Sequence, residues 1–203
     1  MTVAKSMKPI YLAGVENNPQ PSPYAELIKA AQANGSEYWQ IWHLFAFRPE
    51  MTIHLGRFTH ALMFEPGPIS PALRELIAAY TSSLNQCAFC MRSHAAVASH
   101  LLHDEELVQQ VLADLEGSAL PEDEKVLLRF VRKVTHQSFN VTEEDMSPLH
   151  EAGWDDASIY YAITVSALFN FYNRWISSTG VHPVSSENHS LHAAKIAQRG
   201  YIR

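Results

Sequence analysis

Cys87, Cys90 and His94 lie within eight consecutive residues, Cys87-Ala88-Phe89-Cys90-Met91-Arg92-Ser93-His94, and these two cysteines are the only ones in 203 residues. Two thiols three positions apart can cycle between dithiol and disulfide. A histidine four residues after the second supplies a group that gains or loses a proton near neutral pH. Glu75 stands twelve residues before the first thiol and adds a carboxylate. Together these residue types point to dithiol redox chemistry with a built-in acid/base pair.

The spacing predicts how they are held. Residues on a helix advance about 100° each, so Cys90 falls about 60° from Cys87 and His94 about 40° from Cys90. All three share one stripe, and Cys90 and His94 are direct neighbours. Ser82-Ser83-Leu84-Asn85-Gln86 is poor in helix formers, and Asn85 is a good N-cap, so Cys87 is expected in the first turn. There, unpaired backbone N–H groups and the helix dipole favour a thiolate. On one unbroken helix Glu75 would lie about 18 Å from Cys87. If the chain reverses near Leu84-Asn85, Glu75 and His94 are equidistant from the turn and face each other. The pair would then orient the imidazole and raise its basicity.

The rest of the chain reads as the frame for that hairpin. Helices are expected from Pro23 to Ala33, from a Ser36 cap to Arg48, from Glu50 to Phe64, from the Ser70-Pro71 start, through the cysteine helix to His103, and from Asp104 to Leu115. Others begin at Leu120-Pro121-Glu122, at Thr142 with Asp145 three residues on, and at Asp155-Asp156; the last ends at Gly180. Strand-like alternation is nearly absent, so the fold class is an all-α bundle. The organisation expected is an N-terminal arm over residues 1–22, a helical domain over 23–182 and a C-terminal tail over 183–203. A thioredoxin-type use of the CxxC needs βαβ context, which this stretch lacks.

Composition narrows the function classes. The net charge is −6, with 18% charged and 47% hydrophobic residues. There is no run of Lys or Arg, which argues against nucleic acid and membrane surfaces as partners. No signal peptide is read at the N-terminus. The most apolar stretch, Ile159 to Tyr172, is too short for a bilayer. The expected setting is cytoplasmic, where a CxxC is catalytic or metal-binding rather than a structural bridge. Zinc could use the same side chains. However, all of them would come from one helix pair, whereas structural zinc commonly knits loops, and the redox reading is preferred.

The pattern Glu-x11-Cys-x2-Cys-x3-His resembles the alkylhydroperoxidase AhpD family, within the wider carboxymuconolactone decarboxylase-like superfamily. The flanking Leu73-Arg74-Glu75-Leu76-Ile77 and Asn170-Phe171-Tyr172-Asn173-Arg174 look like its peroxidase-related subgroup. The resemblance spans roughly Arg57 to Gly180. It implies an AhpD-like helical bundle and a thiol-dependent hydroperoxide reductase without a prosthetic group. Cys90 would be the peroxidatic thiol and Cys87 the resolving, more exposed one. His94 and Glu75 would relay protons. The implied partners are a hydroperoxide and a dithiol reductant, dihydrolipoyl or thioredoxin-like, and the implied assembly is a homo-oligomer, a trimer or hexamer. The well-studied members carry a second histidine just before the second cysteine. Phe89 stands there in this chain, which implies a simpler relay. Other classes on the same fold are a redox-sensing scaffold and a decarboxylase-like lyase. Trp39, Trp42 and Phe45 read as core or subunit interface, Asn170, Asn173 and Arg174 as ties between helices or subunits, and His182, His189 and His192 as tail residues without a clear role.

Overall fold

The computed structural model describes residues 7–202. Among them it contains helices and no strand, in keeping with the all-α expectation. The helices are α1 (Ala13–Glu16), α2 (Pro23–Ala33), α3 (Ile41–Phe47), α4 (Pro49–Met63), α5 (Pro71–Leu84), α6 (Ala88–Leu102), α7 (Glu105–Ala113), α8 (Glu122–Gln137), α9 (Met146–Glu151), α10 (Asp156–Thr179) and α11 (Ser186–Arg199).

Helix α5 is the centre of the bundle. Every residue from Leu73 to Ser82 is buried, as expected of a helix covered on all sides. It packs against α6, α7, α8 and α10. Ser70 caps it by accepting from the Leu73 N–H, and Pro71 occupies the first turn. Arg74 is fully buried at its start and donates through one guanidinium nitrogen to the carbonyls of Leu62 and Glu65, at 2.7 and 2.9 Å. A cation there satisfies the orphan carbonyls at the end of α4 and fixes α4 against α5.

The turn between α5 and α6 positions the thiols, and it differs from the expectation. Asn85 does not cap α6; it closes α5. Gln86 takes a left-handed conformation with φ 56°. The Gln86 N–H then bonds to the Ser83 carbonyl at 3.0 Å and the Cys87 N–H to Ser82 at 2.9 Å. This is a Schellman ending, and it uses up the residues expected to form a separate cap. Cys87 is therefore the N-cap of α6 itself, two positions closer to the helix terminus than expected.

Two further segments differ. Residues 36–39 are not helical, and α3 begins only at Ile41. The reason is long-range. The Glu37 carboxylate accepts from the Ser185 N–H at 2.9 Å and from the Ser185 hydroxyl at 2.5 Å, while Gln40 bonds the Lys8 carbonyl and the His182 N–H. The stretch set down as a C-terminal tail contains α11, capped by Ser185 and packed against α6. The Thr142–Asp145 capping box forms as expected, but it starts a 3-10 turn that leads into α9.

Helix α10 is the longest, with 24 residues. Gly180 ends it at φ 77°, where a Cβ would meet the Tyr11 ring at 2.6 Å. Tyr11 donates its N–H to the Thr179 carbonyl at 2.9 Å, which ties the N-terminal segment to this helix end. No helix among the described residues is long and apolar enough to cross a membrane.

Candidate active site at the dithiol helix

The hairpin brings the four candidate residues into one neighbourhood. Glu75 on α5 and His94 on α6 meet across it, with the His94 Nδ1–H donating to Glu75 Oε2 at 2.7 Å. An ionised carboxylate only accepts, so Nδ1 carries the proton and Nε2 is left as the basic nitrogen. Both groups are buried, Glu75 at 2% exposure and His94 at 9%. The His94 ring also stands edge-on against Phe169, with centroids 4.3 Å apart, which fixes its plane.

Both cysteines are free and buried, and they approach to 3.3 Å. The resemblance implied that Cys87 is the exposed thiol. Instead Cys87 is 3% exposed and Cys90 2%. The α10 helix, which carries Asn173 and Ser177, lies over the N-terminus of α6 and covers the first thiol as well as the second. The two thiols differ in charge state. Cys87 is pulled down to about 6, first by the hydrogen bond from the Cys90 thiol, against the opposing effect of burial, and then by the Cys90 backbone N–H, Ser177 and Asn173. Cys90 is held well above the ordinary thiol range by burial, with its bond to Cys87 adding to the rise. The N-cap position explains part of the first shift, as expected; the larger part is the neighbouring thiol.

Asn173 is placed by a polar chain that runs through the hairpin turn. Its amide donates to the Ser82 hydroxyl at 2.9 Å and its carbonyl accepts from Asn85 at 3.0 Å. It also bonds both thiols. It does tie helices together, and in doing so it presents its amide to the dithiol.

A cavity of about 70 Å³ reaches Cys90 and not Cys87. Trp39, Trp42, Phe45, Phe89, Phe169 and Tyr172 supply aromatic walls, while Ser93, His94 and Tyr201 are its polar side. Trp39, Trp42 and Phe45 are thus core residues that also form the pocket. Tyr80 and Met63 are buried in the core and do not line it.

Two contributors escaped the sequence reading. Tyr201, two residues before the last, donates its hydroxyl to Glu75 Oε1 at 2.5 Å and lies 3.4 Å from His94 Nδ1. His189 on α11 stands beside Phe89, with ring centroids 6.0 Å apart, and its Nδ1 is 3.2 Å from the Ser93 hydroxyl. That hydroxyl already donates to the Phe89 carbonyl at 2.8 Å, so His189 is the donor. Burial lowers His189 to about 4 and keeps it neutral. Neither residue sits in a motif, and both come from the segment read as a tail. Among the described residues, no three His, Cys, Asp or Glu side chains converge as a metal site.

Residues 49–128 match the carboxymuconolactone decarboxylase family. The fold is similar to that of an uncharacterised peroxidase-related protein from Silicibacter sp., at 26% identity and TM-score 0.78, covering 91% of this chain and 96% of that one. It is similar also to an uncharacterised peroxidase-related protein from Ralstonia eutropha, described as an alkylhydroperoxidase AhpD core, at 24% identity and TM-score 0.73, covering 83% and 89%. No curated protein sequence matches the chain.

Proposed function

We propose that the chain, which is similar over residues 49–128 to the carboxymuconolactone decarboxylase family and in fold to a peroxidase-related protein, is an AhpD-like thiol-dependent hydroperoxide reductase working through Cys87 and Cys90. The observation that carries the reading is the union of three things in one place. A dithiol holds a thiolate near neutral pH, one of its cysteines lines an aromatic cavity, and His94, paired with Glu75, lines the same cavity.

The chemistry follows from the arrangement. A hydroperoxide enters the cavity beside Cys90. His94 Nε2 takes the Cys90 proton, and the new thiolate attacks the terminal peroxide oxygen. An S–O bond forms, the O–O bond breaks, and the departing alkoxide takes the proton back from His94 as an alcohol. Cys87, already a thiolate, then attacks the sulfenic sulfur. A disulfide forms and hydroxide leaves, to be protonated to water. The two sulfurs lose two electrons and the peroxide gains them. A dihydrolipoyl or thioredoxin-like dithiol restores the pair, and the reading places the protein in the reducing cytoplasm, where such dithiols are present. Glu75 keeps His94 in the tautomer that can accept at Nε2. No prosthetic group has a step in this cycle. The assembly proposed is a homo-oligomer, a trimer or hexamer.

The test is direct. Reduced protein is mixed with an organic hydroperoxide, quenched by alkylation, and the peptide spanning Cys87 and Cys90 is weighed. The expected result is a Cys87–Cys90 disulfide formed within seconds, and a trapped sulfenic acid at Cys90 in Cys87→Ser. Peroxide consumption no faster than in Cys90→Ser would overturn the proposal. The burial of both thiols favours one second reading, a redox sensor that reacts slowly. It predicts different particle sizes in the reduced and oxidised states, without turnover. A lyase of the kind the family's name suggests would keep its activity on a lactone after both cysteines are replaced.

A further inference from the structure

The last turn of the chain runs into the site. After α11 ends at Arg199, Gly200 adopts φ 67°. A Cβ at that position would meet the His60 ring at 2.4 Å and Phe64 at 2.7 Å, so only glycine lets the backbone lie this close to α4. The Tyr201 N–H then donates to His60 Nδ1 at 3.1 Å. This seat aims the Tyr201 side chain inward, its ring stacked near His94 with centroids 6.1 Å apart and its hydroxyl on Glu75. Tyr201 also borders the cavity.

Glu75 therefore has both carboxylate oxygens occupied, Oε2 by His94 and Oε1 by Tyr201. A carboxylate buried to 2% exposure needs such donors to stay ionised. We infer that Tyr201 is the third member of the acid/base group: its hydroxyl holds Glu75 as an anion aligned on His94 Nδ1, so that the imidazole presents a basic Nε2 to the cavity. It is a positioning residue acting through Glu75, and it stands in a part of the chain distant from the CxxC. The inference rests on the proposed peroxidase reading for its effect on rate, but not for its effect on the Glu75–His94 pair.

The sign of the effect follows from the hydrogen bond. Without the tyrosine hydroxyl the carboxylate loses its donor at Oε1, and its alignment on His94 Nδ1 loosens. The imidazole is then held less firmly in the tautomer whose Nε2 is bare. Other ionisable groups near the tyrosine include His60 from α4 and, on the same cavity, Tyr24, Cys90 and Tyr172. All of them remain in Tyr201→Phe, which keeps the ring and removes only the oxygen.

Two measurements on the full-length protein test this. The first is the rate of peroxide-driven disulfide formation. Tyr201→Phe is expected to slow the reaction on the order of tenfold at neutral pH. A chain ending at Gly200 is expected to be at least as slow. The second is nitrogen NMR of the His94 ring, which needs no peroxide activity. The wild type is expected to show the ring proton on Nδ1, hydrogen-bonded to Glu75, and Tyr201→Phe a tautomer mixture with part of the proton on Nε2. If Tyr201→Phe matches the wild type in both the rate and the His94 tautomer, the inference is overturned. If the wild type forms no disulfide with peroxide while the His94 tautomer still changes in Tyr201→Phe, the positioning role stands and the peroxidase reading falls.

Discussion

At neutral pH the dithiol carries one proton between two sulfurs, and the residues around it decide where that proton rests. Cys87 ionises first because the Cys90 thiol donates to it, with Asn173 and Ser177 adding to the effect. Thiolate absorbance should therefore appear as one group with a midpoint near about 6. Cys90→Ala removes the largest cause and should move that midpoint upward by roughly 1 unit or more, toward an ordinary thiol. A wild-type midpoint in the ordinary thiol range, or no change in Cys90→Ala, would contradict the assignment. Much of this site was legible in the sequence. The CxxC with His94 follows from helical spacing, and Glu75 from equal distance to a turn. Tyr201 and Asn173 were not legible as site residues, because each reaches the site only through the tertiary fold. Tyr201 lies 126 residues from Glu75 in sequence, and no local period connects them.

At the scale of elements, the cysteine hairpin is two caps fused into one. The Schellman ending of α5 places Gln86 at φ 56°, and the next residue opens α6. Gln86 is exposed and stands where glycine or asparagine is usual. An L-residue in this conformation costs about 1 kcal/mol. Gln86→Gly should thus stabilise the fold by about that amount, raising the Tm by about 2–4 °C for a chain of this size, without altering the Cys87 midpoint. A fall in Tm would mean that the glutamine side chain has a role of its own. The other caps were plain in the sequence: Ser22, Ser70, Asp104 and Asp155 each accept a backbone N–H where a helix was expected. Residues 85–87 were misassigned because one polar residue can end a helix or begin one, and the choice depends on the backbone of its neighbour. Residues 36–39 were misassigned for a different reason. Ser36 has the chemistry of a cap, but Glu37 is held by Ser185, 148 positions away.

At the scale of the whole molecule, the surface leaves large apolar side chains uncovered on one face of α10. Tyr160 is 64% exposed and Phe171 49%, and eleven residues on a helix bring them to nearly the same azimuth. Ala167 lies between them on that face and is also exposed, so a flat apolar stripe runs along the longest helix. Stripes of this kind mark contact sites. A homo-oligomer closed through α10 would cover the stripe, and it would also brace the helix that carries Asn173 and Ser177 against the thiols. Light scattering should then give a particle mass that is a multiple of the 22.8 kDa chain. The double variant Tyr160→Glu, Phe171→Glu should lower that mass while circular dichroism keeps its helical signal. It should also slow disulfide formation, since a less firmly seated α10 weakens the hydrogen bonds that favour the Cys87 thiolate. A wild-type particle of single-chain mass at micromolar concentration would refute the assembly. An unchanged mass in the double variant would place the contact on another face, for which the exposed Met51 and Phe58 of α4 are the next residues to change.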